Sequence, residues 1–165
     1  MEYLDTKYFS YADPDDPIHK KALIRSIEFF SGQPYLYNIY KEYQKNPERW
    51  ISFWDGCVDL LKLNVQFDEE KIKKIPSEGP LMIVANHPFG VLDGLVICWL
   101  TSKIRSNFKV LTHSLLLRAP ETKDYLLPID FSQSRDAMIT NLETRKTARN
   151  ILDNGGTIVV FPGET

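Results

Sequence analysis

The segment with the most evident chemical potential runs from Asn86 to Gly94 and reads Asn-His-Pro-Phe-Gly-Val-Leu-Asp-Gly. Within it, the ring of His87 titrates near neutral pH, and Asp93 follows six positions later. A carboxylate bonded to one ring nitrogen fixes the tautomer of a histidine, so that the other nitrogen can act as a general base. Gly90 lies between the two residues and allows the loop to fold back far enough for them to meet. His87 and Asp93 are therefore the candidate catalytic pair.

The residue types in this segment also limit the kind of reaction. It contains no serine or cysteine, so the pair would activate an incoming hydroxyl or amine for attack on an activated acyl carbon. Amides at the start of the following helix could face the oxyanion that forms. Spacing alone equally allows a structural interpretation, in which Asp93 caps the helix, Asn86 makes an Asx turn and His87 is a satisfied loop histidine. Both interpretations stay open at this point.

The elements on either side place this loop where ligands bind in α/β proteins. Leu81 to Ala85 is a continuous apolar run of strand length, typical of a central strand that is covered on both faces. A helix is expected from about Leu92 to Ile104. The loop then lies at the carboxyl end of a strand, which is the ligand-binding position in open α/β sheets.

Strand and helix patterns continue to alternate after this helix. A helix is expected over about Asp136 to Asp153, and Asn154, Gly155 and Gly156 should stop it. The other strand candidates are Phe108 to Leu111, Leu126 to Ile129 and Thr157 to Phe161. This alternation predicts the α/β class, with a largely parallel central sheet flanked by helices.

The first third of the chain has a different, helical character. Asp16 and Pro17 cap a predicted helix that ends at Gly32. Two shorter helical patterns follow, from Leu36 to Tyr43 and from Pro47 to Leu61, and then Leu63 to Phe67 alternates like a half-buried strand. We therefore expect an N-terminal helical region over residues 1–70 and an α/β domain over residues 71–165.

The last residues follow directly on a strand of central character. A central parallel strand needs covering elements on both faces, and none follows Thr165. The expectation from the sequence is therefore an α/β domain that is incomplete at its C-terminal end.

Composition and charge exclude several classes of protein. The formal net charge of -2 gives no general attraction to nucleic acid. Cys57 and Cys98 lie in apolar helical patterns, which predicts no disulfide framework, and the distant His19, His87 and His113 predict no metal site. The N-terminus does not resemble a signal peptide, and no apolar run approaches the roughly 20 residues that cross a bilayer.

The Asn86 to Gly94 segment resembles the signature block of the lysophospholipid (glycerolipid) acyltransferase family, in particular its bacterial hemolysin-like branch. Five residues separate His87 from Asp93, as in that branch, whereas the common form of the family has four. The resemblance implies an α/β domain in which His87 deprotonates the acceptor and Asp93 supports it. It also implies acyl-CoA or acyl carrier protein as the donor, with no cofactor, and substrate contacts from Asn86, Phe89 and Gly90.

Two later blocks of the family have partial counterparts here. The first resembles Leu127 to Phe131, where Phe131 stands in place of an arginine associated with the acceptor's phosphate. Either another arginine supplies that cation or the acceptor lacks phosphate; the candidates are Arg118, Arg135 and Arg145. The second runs from Val159 to Thr165, with its glycine and glutamate transposed, and the alternative is an ordinary turn. The acceptor contacts it implies are Phe161, Pro162, Gly163 and Glu164.

These features predict an acyltransferase that moves a fatty acyl group to a lysophospholipid or glycerolipid acceptor. A thioester or ester hydrolase and a non-catalytic lipid-binding fragment are the alternatives. Because lipid acceptors lie in membranes, we expect a cytoplasmic protein attached peripherally to the inner face of the cytoplasmic membrane. Aromatic helices of the N-terminal third, which include Tyr40, Trp50 and Trp54, could rest on that surface, although core packing is the commoner use of such residues.

Overall fold

The computed structural model of the chain describes residues 17–19, 33–86, 88–113, 120–132 and 134–162. The first predicted helix, which should end at Gly32, lies mostly outside these ranges. The remaining predicted elements can be compared with the structure.

The centre of the molecule is a four-stranded sheet in the order β1-β4-β2-β3. All three pairings are parallel, and the register joins Leu81 of β1 and Phe108 of β2 to Thr157 of β4. The α/β class with a parallel central sheet is therefore confirmed. The strands are β1 (Leu81–Val84), β2 (Phe108–His113), β3 (Leu126–Ile129) and β4 (Thr157–Val160).

Helices precede the sheet and connect its strands. Before β1 the chain forms α1 (Gln33–Lys45), α2 (Phe53–Leu60) and the short α3 (Glu69–Lys73). The connections between strands contain α4 (Val91–Ile104) and α5 (Arg135–Asp153). Short 3-10 turns lie at Pro47–Arg49 and Pro120–Thr122. The described part of the N-terminal region is thus helical, as predicted.

The two faces of the sheet have separate cores. The larger core lies between the sheet and the pair α2 and α4, and it includes Trp54, Cys98, Phe108, Leu126 and Val159. The smaller core lies under α5, where Ala148 packs with Leu127 and Ile158. Because successive residues of a strand point to opposite faces, neighbours such as Ile158 and Val159 belong to different cores.

The predicted helix from Pro47 to Leu61 is two elements rather than one. The 3-10 turn at Pro47–Arg49 is followed by a break, and α2 begins only at Phe53. The cause is Ser52, whose hydroxyl accepts the amide of Asp55 at 3.1 Å and so starts a new helix. Ile51 lies in this break, and its side chain is 97% exposed.

The prediction of a strand from Leu63 to Phe67 is wrong. The segment has no sheet partner among the described residues, and it leaves α2 through a turn in which Leu63 N donates to Val58 O at 3.0 Å. Its burial nevertheless alternates from Leu63 to Gln66, with Leu63 and Val65 half-buried. Phe67, which is 38% exposed, packs edge-on against Trp99 of α4 at 5.7 Å between ring centroids. An extended segment that packs on a helix shows the same alternation as a strand in a sheet.

The strand β1 is not the doubly covered central strand that its apolar run predicts. It lies at one end of the strand order, and α5 packs on β3 and β4 rather than on it. Met82 and Val84 are consequently 54% and 58% exposed, while Ile83 packs against the larger core. The interior positions belong to β4 and β2, and the β-branched sequence of β4 predicted its place.

Candidate functional site

The carboxyl ends of β1 and β4 are neighbours and bring two predicted site segments together. Ala85 N donates to Val160 O at 3.2 Å, which extends the pairing just past both strands. The loop from Asn86 to Gly90 and the pair Phe161 and Pro162 therefore leave the same edge of the sheet about one strand spacing apart, near 4.8 Å. The sequence had assigned both segments to the substrate site.

Asp93 is fixed by the loop that precedes it. It lies in the first turn of α4, and its Oδ2 accepts a hydrogen bond from Phe89 N at 2.7 Å. The turn between them passes through Gly90, which has φ 62° and ψ -118° and occupies the N-cap position. Only glycine adopts such a conformation readily, and open space around its Cα shows that the requirement is conformational rather than steric. The positive φ of Gly90 thus lets the loop turn back from Phe89 to Asp93.

This hydrogen bond has two consequences. It is a cap of the kind that the structural interpretation of Asp93 expects, because it satisfies an amide before the first turn. It also holds the carboxylate in one orientation while leaving its second oxygen as an acceptor site. A carboxylate oriented in this way is what a histidine base requires of its partner.

Several predicted site residues lie outside the described part of the chain. They are His87, Arg118, Gly163 and Glu164. Their roles stay predictions, and so does the pairing of His87 with Asp93.

The described candidate arginines do not start beside Asp93. Arg135 is exposed and begins α5 after β3, whereas Asp93 follows β1 at the opposite end of the strand order. Three strand spacings separate β1 from β3, or roughly 14 Å. Arg145 is also exposed and lies about 15 Å further along α5, which runs away from this edge. Phe131, at the position of the family's arginine, is 72% exposed.

An apolar groove of about 240 Å³ lies directly beside Asp93. It runs between the extended segment after α2 and the first turns of α4. Its lining consists of Leu63, Asn64, Val65, Phe89, Leu92, Asp93 and Val96. Sequence reasoning missed this groove because the alternation of Leu63 and Val65, the signal that was present, favoured a strand.

A polar cluster fastens α4 to α2 about one to two turns beyond the groove, on the same stripe of α4 as Leu92 and Val96. Asp55 accepts hydrogen bonds from Trp99 Nε1 at 2.9 Å, Lys103 Nζ at 2.5 Å and Ser52 Oγ at 2.8 Å. Burial alone would raise the pKa of the Asp55 carboxyl, but the hydrogen bonds from Lys103, Ser52 and Trp99 outweigh it and hold the pKa below its usual value. The cluster holds α4, the helix that carries Asp93, against α2. No sequence motif predicted this cluster.

The two cysteines belong to the packing and not to the chemistry. Both Cys57 and Cys98 are buried, and burial raises the pKa of each thiol to about 12. A thiol with so high a pKa stays protonated near neutral pH and is a poor nucleophile. Among the helices that the structure describes, none has the length and apolar character needed to cross a membrane.

One curated relative gives the site a biochemical context. Over 102 residues the chain is 28% identical to a lyso-glycine lipid O-acyltransferase of Phocaeicola vulgatus. The matched region makes up 60% of this chain and 36% of the relative. The chain thus spans about a third of the length of the relative that it matches. No protein-family model matches the chain, and no solved structure matches it. The similarity supports an acyltransferase family, and hence an enzyme of lipid metabolism, at that general level.

Proposed function

We propose that this chain carries the site of an acyltransferase in which His87 is the general base and Asp93 orients it. The donor is acyl-CoA or acyl carrier protein, and the acceptor is a lipid of the lysophospholipid or glycerolipid type. The observation that carries the proposal is the carboxylate of Asp93, held at 2.7 Å by the amide of Phe89 within the loop that contains His87. The loop lies at the carboxyl edge of a parallel sheet, where such sites are found.

The reaction needs one proton carrier and no enzyme nucleophile. The free nitrogen of His87 takes the proton of the acceptor hydroxyl as its oxygen attacks the thioester carbon. The tetrahedral oxyanion then collapses, the carbon–sulfur bond breaks, and His87 returns the proton to the leaving thiolate. Asp93 stabilises the imidazolium that exists between these two steps.

The apolar groove beside Asp93 supports a lipid substrate. Five of its lining side chains are apolar, and Asp93 lies in the same wall. Apolar clefts with a few convergent polar groups are the usual form of a small-molecule site. We propose that an alkyl chain of the substrate lies in this groove while its reactive end reaches the loop.

The acceptor atom is proposed from the relative's name. That protein is an O-acyltransferase acting on a lyso-glycine lipid, and its name places the acyl group on oxygen. We extend a hydroxyl acceptor on a lyso-lipid to this chain, ahead of an amine. The exposed ring of Phe131, where the family has an arginine, favours an acceptor without a phosphate at that position.

The test is thiol release from long-chain acyl-CoA and acyl carrier protein, with and without a panel of lyso-lipids. We expect acceptor-dependent release that His87→Ala abolishes and that Asp93→Asn lowers by orders of magnitude, since the tautomer control is lost. His19→Ala is the matched control, because His19 is exposed and has no assigned role. Circular dichroism of each variant verifies that its fold is retained.

The alternatives give different results in the same assay. Release of thiol without any acceptor, lost in His87→Ala, would establish a hydrolase. Lipid binding without release from any donor would establish a non-catalytic lipid-binding domain. Full activity in His87→Ala would refute the proposed mechanism altogether.

A further inference from the structure

Exposed apolar side chains gather at the edge of the sheet that carries the candidate site. We call them the edge patch: Phe89, Val91, Leu92, Met138, Ile139 and Leu142. Their exposed fractions run from 39% for Leu92 to 76% for Phe89. Single exposed apolar residues are ordinary on a protein surface, but a group at one edge indicates a binding surface.

The edge patch has two halves on opposite faces of the sheet. Phe89, Val91 and Leu92 lie at the start of α4, which follows β1 and packs on the larger core. The other half lies in the first two turns of α5, which follows β3 and packs on the opposite face. Because all four strands are parallel, both helices begin at the same edge of the sheet. The loop with Asp93 lies within this edge.

Cationic side chains follow the apolar ones along the exposed side of α5. Met138, Leu142, Arg145 and Arg149 are spaced as one helical stripe, and all four are exposed. With a rise of 1.5 Å per residue, Arg145 lies about 10 Å beyond Met138. Lys146 adds another cation and Glu143 an acid, and Arg149 pairs with Asp153 at 3.7 Å. Ahead of Met138, the first turn of α5 carries the exposed charges of Arg135 and Asp136.

We propose that the edge patch docks onto an anionic bilayer, with Met138, Ile139 and Leu142 of α5 against the acyl region and the cations on either side of them at the level of the lipid phosphates. Apolar side chains with cations on both sides of them along one helix complement a bilayer surface, in which the acyl region lies beneath the charged headgroups. The docking would turn the loop with Asp93 toward the membrane that holds the lipid acceptor. That functional meaning rests on the proposed acyl transfer, while the docking itself does not.

Two aromatic residues of the N-terminal helices do not belong to such a surface. Tyr43 and Trp54 are buried, and a chain of ring contacts links them through Phe53 to the sheet. Their apolar area is therefore used in the core. The edge patch is the alternative membrane surface that the described residues offer.

Flotation of the 165-residue chain with lipid vesicles tests the docking without any reaction. One set of vesicles is phosphatidylcholine, and the other contains about one-third phosphatidylglycerol, at low and high salt. Leu142→Gln is compared with Ile51→Gln, because each removes one exposed aliphatic chain. The double variant Arg145→Gln/Lys146→Gln is compared with Lys71→Gln/Lys73→Gln, which removes two exposed cations from α3.

Wild-type protein should float with the anionic vesicles, and Leu142→Gln should lower its partition coefficient about tenfold. Ile51→Gln should leave the coefficient within about twofold, as expected for a surface change away from the contact. Arg145→Gln/Lys146→Gln should weaken binding at low salt only, unlike the α3 control. Wild-type protein that floats with neither set, that self-associates through the patch instead, or that responds equally to patch and control variants would overturn the docking.

Failure of the docking and failure of the proposed function give separable results. If the protein floats with the vesicles but transfers no acyl group, the acyltransferase proposal is refuted and the docking proposal stands. If the protein never floats but transfers an acyl group to a detergent-dispersed lyso-lipid, the docking proposal is refuted and the acyltransferase proposal stands.

Discussion

The two faces of the central sheet differ in how they are covered. On one face α2 and α4 lie over an aromatic core, in which Phe108 contacts Trp54 at 6.1 Å and Tyr125 at 5.0 Å between ring centroids. On the other face α5 is the one described helix that packs on β3 and β4, with Ala148 at its centre, and one side of β1 stays exposed. The face with the aromatic core thus carries Asp93 at the start of α4, whereas Met138, Ile139 and Leu142 of α5 and the exposed Met82 and Val84 of β1 belong to the open face.

The largest expected effect is the loss of an aromatic ring from the covered face. Phe108 is 1% exposed, so Phe108→Ala removes its contacts and leaves a cavity. We expect a loss of about 3–5 kcal/mol in the free energy of unfolding, measured by urea denaturation. Leu127→Ala, on the α5 face, should cost about 2 kcal/mol, since its smaller core can close more easily. A larger loss for Leu127→Ala would reverse the comparison between the faces.

The elements that were predicted correctly are those whose signals are local. The helix α5 ends at Asp153 as expected, because Gly155 adopts φ 77° and Gly156 N donates to Ile151 O at 2.8 Å. The β-branched residues of β4 likewise marked a buried strand, of which Thr157, Ile158 and Val159 are buried. In both cases neighbours in sequence decide the structure.

The errors concern the order of the strands and the partners of extended segments. The apolar run of β1 reads as central, but its position depends on where α5 packs, which is not local information. The alternation of Leu63 and Val65 predicted a strand because packing on α4 produces the same pattern. The candidate loop from Asn86 to Gly94 was identified from its residues, whereas the groove beside it was not. That groove forms only when segments some 30 positions apart in the sequence come together.

A smaller effect is expected at the polar cluster that fastens the covered face. Asp55→Asn removes the charge that accepts hydrogen bonds from Lys103 and Trp99. We expect a loss of about 1 kcal/mol at neutral pH, because Lys103 is partly exposed and solvent screens the pair.

The effect of Asp55 should depend on pH in a definite direction. Its pKa is lower in the folded chain than in the unfolded chain, where it is near 3.9. Its contribution is therefore present above that value and is lost as the pH falls through the folded pKa. Unfolding curves of wild type and Asp55→Asn should converge in acid. A constant difference down to the lowest pH would show that the carboxylate charge has no part in the stability.

The ends of α2 and α5 offer a finer comparison between the faces. Both helices end in the same pattern of hydrogen bonds, but α2 has Lys62 at φ 53° where α5 has Gly155. Lys62→Gly should stabilise the chain by several tenths of a kcal/mol, because the left-handed conformation strains any side chain. Gly155→Ala should destabilise it by about 1 kcal/mol. Thermal denaturation of both variants checks the opposite signs.

The smallest effect is expected on the open side of β1. Met82 is 54% exposed, so Met82→Gln should change the free energy of unfolding by no more than about 0.5 kcal/mol. The adjacent Ile83 packs against the larger core, and Ile83→Gln should cost several times as much, because it places an amide among apolar side chains. Urea denaturation gives the free energy of unfolding of both variants. Because the two positions are neighbours in one strand, their side chains report on opposite faces of the sheet. A large loss in Met82→Gln would mean that this side of β1 is covered in solution, and the contrast between the faces would then disappear.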